Sequence, residues 1–104
     1  RNYFYYRSSP PFTVTVGSTV FAEINYMCDN EFTVGIVSLI GSSEIAEEVL
    51  TIRPTATWKK IYVNLSGAIS NQPTASGYKL LLTATHSNGS LNSTIYLDNI
   101  KVVR

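Results

Sequence analysis

Two sets of side chains alternate well from Thr19 to Cys28, one entirely apolar and one partly polar, and this alternation most constrains how the chain can fold. The apolar positions are Val20, Ala22, Ile24, Tyr26 and Cys28. The positions between them hold Phe21, Glu23, Asn25 and Met27. Because successive side chains of a β-strand point to opposite faces, the pattern predicts a strand with one buried and one outward face. Cys28 falls on the inward side, where we interpret it as a small buried hydrophobe.

The same rhythm continues along the chain, where strand-like stretches and turn residues alternate about every ten residues. Val and Ile occur nine times each and Thr eleven times, and aromatic residues form 12% of the chain. These side chains suit the pleated, half-buried surface of a sheet. Regular turn spacing of this kind is typical of sandwiches and barrels. We therefore predict one all-β domain over residues 1–104, a β-sandwich of about seven or eight mostly antiparallel strands.

Three stretches depart from simple alternation. Ser43–Ile52 has apolar residues at helical spacing, but its end is strand-like, and we favour a strand because the rest of the chain is β. Ser66–Gly77 shows no apolar periodicity and is predicted to be a long polar loop. Between Ile95 and Val102 the apolar residues change from one alternate set of positions to the other. This shift by one residue predicts a β-bulge near Asp98–Asn99.

Charge and cysteine content exclude several classes of protein. The net charge is +1 and Lys and Arg are not clustered, whereas nucleic-acid-binding domains usually carry a basic stripe. A single cysteine cannot form an internal disulfide or a cysteine-based zinc site. No apolar run approaches the ~18–20 residues of a membrane-spanning helix, so we expect no direct membrane insertion. The 44% hydrophobic content is sufficient for a folded core.

Four segments of the sequence carry a resemblance to a known group of domains. Trp58–Leu65, Tyr78–Leu80 and Ile95–Val102 together resemble the C-terminal half of a jelly-roll module, and Thr19–Tyr26 resembles a middle strand. Residues 12–104 are similar to galactose-binding-domain-like and carbohydrate-binding-module-like β-sandwiches, and the closer likeness is to those in surface lipoproteins of glycan-degrading gut bacteria. The resemblance implies a jelly-roll fold, carbohydrate binding and an extracellular or bacterial cell-surface location.

The beginning of the chain departs from this group. Such modules usually begin with additional strands, which often carry part of the ligand or metal site. This sequence starts at Arg1 and runs directly into the strand-like, aromatic stretch Asn2–Arg7. Two expectations follow from this start. The chain is either a fragment of a longer protein that lacks upstream strands, or a domain cut at its natural boundary.

Aromatic residues are the main candidates for ligand binding, because a pyranose ring stacks on an aromatic face while a few polar groups fix its orientation. Trp58, Lys60 and Tyr62 share one strand face. Glu23 and Asn25 lie on the outward parity of another strand, and a sheet face carrying all five would suit a glycan. The alternative is structural. Trp58 would then cover the sandwich edge, Tyr62 would pack on a neighbouring strand, and Glu23 would pair with a lysine such as Lys60.

Asp98 is the candidate metal ligand. In several modules of the resembling group the Asp of the closing strand helps to bind a structural calcium ion, so the resemblance implies the same role for Asp98. Ca²⁺ takes about six to eight oxygen ligands, however, and no acidic cluster lies near Asp98 in the sequence. Two alternatives remain: its carboxylate accepts backbone N–H bonds at the bulge, or it pairs with a strand lysine. No other cofactor is expected.

The sequence contains no recognisable catalytic constellation, so we expect no enzyme. The single histidine, His86, adjoins an Asn-Gly turn, and the acidic residues Glu44, Glu47 and Glu48 cluster beside another turn rather than in a paired arrangement. The leading hypothesis is a non-catalytic glycan-binding module. The competing hypothesis is a structural or adhesive domain whose faces pack on neighbouring domains of the parent protein and whose sheet edges pair with a second copy.

Overall fold

The computed structural model describes residues 3–7, 11–15, 17–85 and 95–103, so His86 and its turn lie outside the described residues. Within these ranges the chain consists of strands and one short helix. The elements are, in chain order, β1 (Tyr3–Arg7), β2 (Phe21–Cys28), β3 (Phe32–Ile40), β4 (Ser43–Ile52), β5 (Thr55–Asn64), α1 (Ser66–Ser70), β6 (Gly77–Thr85) and β7 (Ile95–Val103). The all-β prediction is confirmed.

The strands form two antiparallel sheets. One sheet has four strands in the order β1-β6-β3-β4, and the other has three in the order β5-β2-β7. Every neighbouring pair of strands is antiparallel, as predicted. Side chains from both sheets, including Ile24 and Val63 from one and Ile36 and Leu82 from the other, meet in a shared hydrophobic core. The two sheets therefore face each other in a β-sandwich-like arrangement.

The alternation of β2 determines which of its side chains reach the core. Ala22 and Ile24 have no exposed surface, whereas Glu23 and Asn25 between them remain partly exposed. Full burial of an aliphatic side chain such as Ile24 stabilises the fold by about 1.5–3 kcal/mol. Since β2 is the central strand of the three-stranded sheet, its outward side chains lie between those of β5 and β7.

The ambiguous segment Ser43–Ile52 is a strand, as predicted, and forms β4. It lies at the edge of the four-stranded sheet and pairs with β3. Ile45 and Leu50 are each 41% exposed there. This edge therefore presents apolar side chains to solvent along a strand of ten residues.

A β-bulge between β3 and β4 explains the helical spacing in that segment. Two successive residues of β3 pair with Leu50 and Glu48 of β4, so Val49 between them is an additional residue. The residues of β4 that point to the core therefore change from one alternate set to the other at Val49. The two strands approach so closely at the bulge that a Cβ on Gly35 would overlap the backbone oxygen of Glu47. Close contact with β4 therefore requires glycine at this position.

The bulge predicted in β7 is confirmed. Glu23 and Asn25 are two residues apart in β2, but their partners Lys101 and Asp98 are three residues apart in β7. The additional length includes Asn99, which has a φ of 51° in the left-handed region that asparagine tolerates better than most residues. The bulge keeps apolar side chains directed inward on both halves of β7.

The prediction of a polar loop from Ser66 to Gly77 is wrong at its start, because Ser66–Ser70 form α1. Asn64 Oδ1 accepts a hydrogen bond of 2.9 Å from the Ser66 N–H, and Ala68 and Ile69 are buried in the core. Five residues are too few for helical periodicity to show in a sequence. Among the described residues, no helix has both the length and the apolar character to cross a membrane.

We predict that Gly35→Ala destabilises the protein by about 1–3 kcal/mol, the usual cost of forcing extra volume into a packed site. The free energy of unfolding in urea measures this effect. Gly67→Ala is the matched control, since a Cβ at Gly67 meets no atom within 4 Å and alanine favours a helix. The control should be neutral or stabilising. Equal stability of the Gly35→Ala variant and the parent would contradict the close approach at the bulge.

Candidate functional site

The outer face of the three-stranded sheet carries the candidate site, and we call it the aromatic face. Alternation along the three strands determines its composition. Its central strand, β2, contributes Phe21, Glu23, Asn25 and Met27. The flanking strand β5 contributes Trp58, Lys60, Tyr62 and Asn64. The other flanking strand, β7, contributes Tyr96, Asp98, Lys101 and Val103.

The residues that sequence analysis selected lie close together on this face. Glu23 pairs in register with Tyr62. Asn25 pairs with Lys60 on one side and with Asp98 on the other. Because side chains of paired residues lie about 4.5–5.5 Å apart at Cβ, these five form one contiguous patch, with Trp58 two residues beyond Lys60 on the same strand.

The exposure of the aromatic rings distinguishes this face from an ordinary sheet surface. Trp58 is 53% exposed, Tyr62 is 57% exposed and Tyr96 is 51% exposed. The rings of Trp58 and Tyr96 contact each other from opposite edge strands, with centroids 6.4 Å apart and planes at 49°. Trp58 and Tyr62 are thus each about half exposed within the described part of the chain, and the structural alternative of edge covering and strand packing stays open.

Tyr96 was missed by sequence analysis. Tyr96 lies two residues before Asp98, on the N-terminal side of the predicted bulge, so both side chains point to the same face. The position of the bulge in the sequence therefore already indicated that Tyr96 points outward. Its contact with Trp58 joins two strands that are distant in sequence and could not be read from local spacing. Tyr96 belongs with Trp58 in any description of the site.

Glu23 lies between two lysines at the centre of the face. Its Oε2 is 3.5 Å from Lys60 Nζ and 3.9 Å from Lys101 Nζ. The Glu23 side chain is only 12% exposed, whereas both lysine side chains are at least half exposed. The ion pair with Lys60 that sequence analysis left open is therefore present. Glu23 Oε2 therefore lies within ion-pair distance of both ammonium groups.

Bulges lie on both sides of β2 at this site. Tyr26 pairs with Lys59, but Cys28 pairs with Thr55, so β5 contains additional residues immediately before Trp58. The β7 bulge lies opposite, next to Asp98. Bulges bend a strand and redirect its side chains. Between them is a shallow depression of about 480 Å³, lined by Asn25, Trp58, Lys59, Lys60 and Asp98.

The environment of Asp98 does not fit the calcium site that the resemblance implied. A Ca²⁺ ion needs several oxygen ligands, usually including more than one carboxylate. Among the described residues, no group of three or more Asp, Glu, His or Cys side chains comes together. The register neighbour of Asp98 is Asn25, and the next residue across is Lys60, whose charge opposes a cation. We derive no role for a metal from this donor set.

A second depression of about 400 Å³ adjoins the aromatic face and is lined mainly by apolar groups, among them Met27, Cys28, Pro54 and Tyr96. Cys28 is 4% exposed, which confirms its predicted burial, and its Sγ donates a hydrogen bond of 3.8 Å to the Arg53 carbonyl. Burial raises the pKa of the Cys28 thiol. The thiol is therefore a packing group rather than a nucleophile at neutral pH.

We predict that Cys28 reacts with Ellman's reagent at about pH 8 more slowly in the native protein than in urea, because burial covers the sulfur and raises the pKa of the thiol. Burial of the neutral Cys28 thiol contributes to the free energy of unfolding, and this contribution is fully present below the pKa of the unfolded thiol. That contribution is lost as the pH rises through the higher pKa of the folded one. Glutathione in the same urea controls for reagent effects. Equal native and unfolded rates would contradict the burial.

Comparison with known proteins gave no match. No protein family, no curated protein and no solved structure is similar to this chain at a significant level. The geometry and chemistry of the described residues therefore carry the functional proposal, with the jelly-roll resemblance as a further expectation.

Proposed function

We propose that this chain is a non-catalytic carbohydrate-binding module that binds glycan on the aromatic face. The observation that carries the proposal is the exposure of Trp58, Tyr62 and Tyr96 on one sheet face, each by more than half. Contiguous exposed apolar surface on a folded domain usually marks an interaction site. Stacking of a sugar ring would remove this surface from water.

Polar groups placed among the aromatics favour a saccharide over a purely apolar ligand. Asn25 and Asp98 are register neighbours beside Trp58, and Lys60 completes the lining of the depression. Sugars combine an apolar C–H face with hydroxyl groups at the ring edge, so a site needs an aromatic surface with donors and acceptors at its border. Asn25 supplies both, Lys60 supplies donors and Asp98 supplies acceptors.

Binding without catalysis is proposed from the state of the two carboxylates on the face. A glycosidase needs two carboxyl groups on either side of the scissile bond, one acting as acid and one as base or nucleophile. Glu23 is mostly covered and is engaged by Lys60 and Lys101. Asp98 is exposed but has no second free carboxylate beside it within the described part of the face. Such a pair suits orientation of a ligand rather than bond cleavage.

We extend the proposal to the architecture and location that the resemblance implies. Two facing antiparallel sheets are compatible with a jelly roll, and the resemblance implies that a sheet face or the loops of such a module can bind glycan. A domain of this kind would belong to a secreted or cell-surface protein of a bacterium, such as a lipoprotein. Its partners would be glycans or neighbouring domains of the parent protein.

Trp58 is the only tryptophan in the sequence, so its fluorescence reports on the site directly. We predict that at least one soluble polysaccharide in a panel of neutral, acidic and N-acetylated glycans shifts or quenches Trp58 emission saturably. The same glycan should retard the protein in affinity electrophoresis. Absence of both effects across the panel would refute the proposed function.

Variants then test where the glycan binds. Trp58→Ala should weaken binding about tenfold or more, since loss of about 1.4 kcal/mol of stacking is a tenfold change in affinity. Isothermal titration calorimetry replaces fluorescence for this variant. Leu50→Ala is the matched control, because it removes a similarly exposed apolar side chain from the other sheet. Equal loss in both variants would place the binding elsewhere.

The edge strand β4 favours the second candidate function, a structural or adhesive domain. Ile45 and Leu50 are exposed along this ten-residue strand, and long exposed edges can pair with another chain. Under the leading proposal we expect a monomer at every protein concentration in size-exclusion chromatography with light scattering. A dimer that dissociates in the variant carrying both Ile45→Lys and Leu50→Lys would support the adhesive function instead. Trp58→Ala controls for loss of apolar surface elsewhere.

A further inference from the structure

A cleft lies at the end of β5 away from Trp58, and we call it the hydroxyl cleft. One wall includes Thr13, Thr15 and Thr19, and the other includes Ser66, Ser70 and Ser76. Its volume is about 450 Å³, within the range of roughly 300–1,000 Å³ that is usual for small-molecule sites. It shares no residue with the aromatic face.

From its lining we propose that the hydroxyl cleft is a second binding site, and that its ligand is a small neutral polyol, such as a monosaccharide. The described residues that line the cleft carry no charged side chain. A charged ligand would lose its hydration there without gaining an opposite charge, which is costly. A neutral ligand incurs no such cost.

Hydrogen bonds hold the serine wall and the base of the cleft in place. The Ser66 Oγ accepts a bond of 2.9 Å from the Val20 N–H, and the Ser76 Oγ donates one of 3.3 Å to the Leu39 carbonyl. Tyr78 lies 5% exposed at the base and donates its hydroxyl proton to the Gln72 carbonyl at 2.8 Å. Ser66, Ser76 and Tyr78 are therefore held in place by contacts with the rest of the fold.

Other hydroxyl groups in the cleft remain available for a ligand. Thr13, Thr15, Thr19 and Ser70 make no side-chain hydrogen bond within the described part of the chain. Each hydroxyl can donate one hydrogen bond and accept two, which matches the hydroxyl groups of a polyol. Val14, Ile69 and Ala75 supply the apolar surface on which the C–H face of a sugar ring can lie. The combination of a hydroxyl border with an apolar base favours a sugar over a purely apolar molecule.

Titration of the ¹⁵N-labelled protein with glucose, galactose, mannose and inositol tests the proposal, with glucuronate and glucosamine as charged probes. We expect at least one neutral probe to shift amide signals of residues 13–15, 17–19 and 66–78 saturably, and the charged probes to bind several-fold more weakly. Cyclohexanol serves as an apolar probe. No saturable shift at the cleft, equal binding of the charged probes, or a response to cyclohexanol alone would overturn the proposal.

Two variants separate this site from the aromatic face. Thr15→Val with Thr19→Val removes two hydroxyl groups while nearly preserving shape, and should weaken binding in the cleft several-fold. Thr57→Val on β5 is the matched control and should leave it unchanged. Trp58→Ala should also leave the cleft unaffected, so failure of the proposed glycan function and failure of this inference give different results. Unchanged cleft binding in the double variant would contradict the inference. The amide spectra themselves report whether each variant is folded.

Discussion

Packing of the inward side of β2 against the opposite sheet is the interaction on which the aromatic face depends. Ile24 is fully buried, and the neighbouring positions Glu23 and Asn25 are directed outward as a consequence. A slip of one residue in register would expose Ile24 and bury the Glu23 carboxylate. Each change is unfavourable by kilocalories per mole, because one loses hydrophobic burial and the other desolvates a charge. The burial of one face of β2 therefore also determines which of its side chains belong to the candidate site.

Irregularities in pairing then arrange the flanking strands around that centre. If β5 and β7 followed β2 in perfect register, their side chains would form straight rows. The bulge before Trp58 and the bulge beside Asp98 interrupt the rows on both sides. The β7 bulge lies beside the middle of β2, between Glu23 and Asn25, and the β5 bulge lies beside the end of β2, between Tyr26 and Cys28. Trp58 contacts Tyr96 across the three strands.

Sequence analysis predicted those features of the fold that determine the residue type at many successive positions. Alternation in β2 and the phase slip near Asp98 both follow from burial that repeats every second residue. Other features depend on which strands become neighbours, and the local spacing of residues does not predict that. They are the contact of Trp58 with Tyr96, the bulge in β5 and the pairing of Glu23 with Lys101. Helix α1 was missed for a different reason, since its two buried residues are too few to form a pattern.

Two side chains of the aromatic face already contact each other before any ligand binds. Trp58 and Tyr96 already contact each other, so their side chains lose less freedom when a ligand stacks on them. Lys60 lies within ion-pair distance of Glu23, and a lysine side chain loses about 1.5–2 kcal/mol of rotamer entropy when it is fixed. Exposed ion pairs contribute little to stability by themselves. Under the proposed function their role is to keep the ammonium groups of Lys60 and Lys101 near Glu23, because a surface ordered in advance binds a hydrated ligand such as a sugar with a smaller entropic cost.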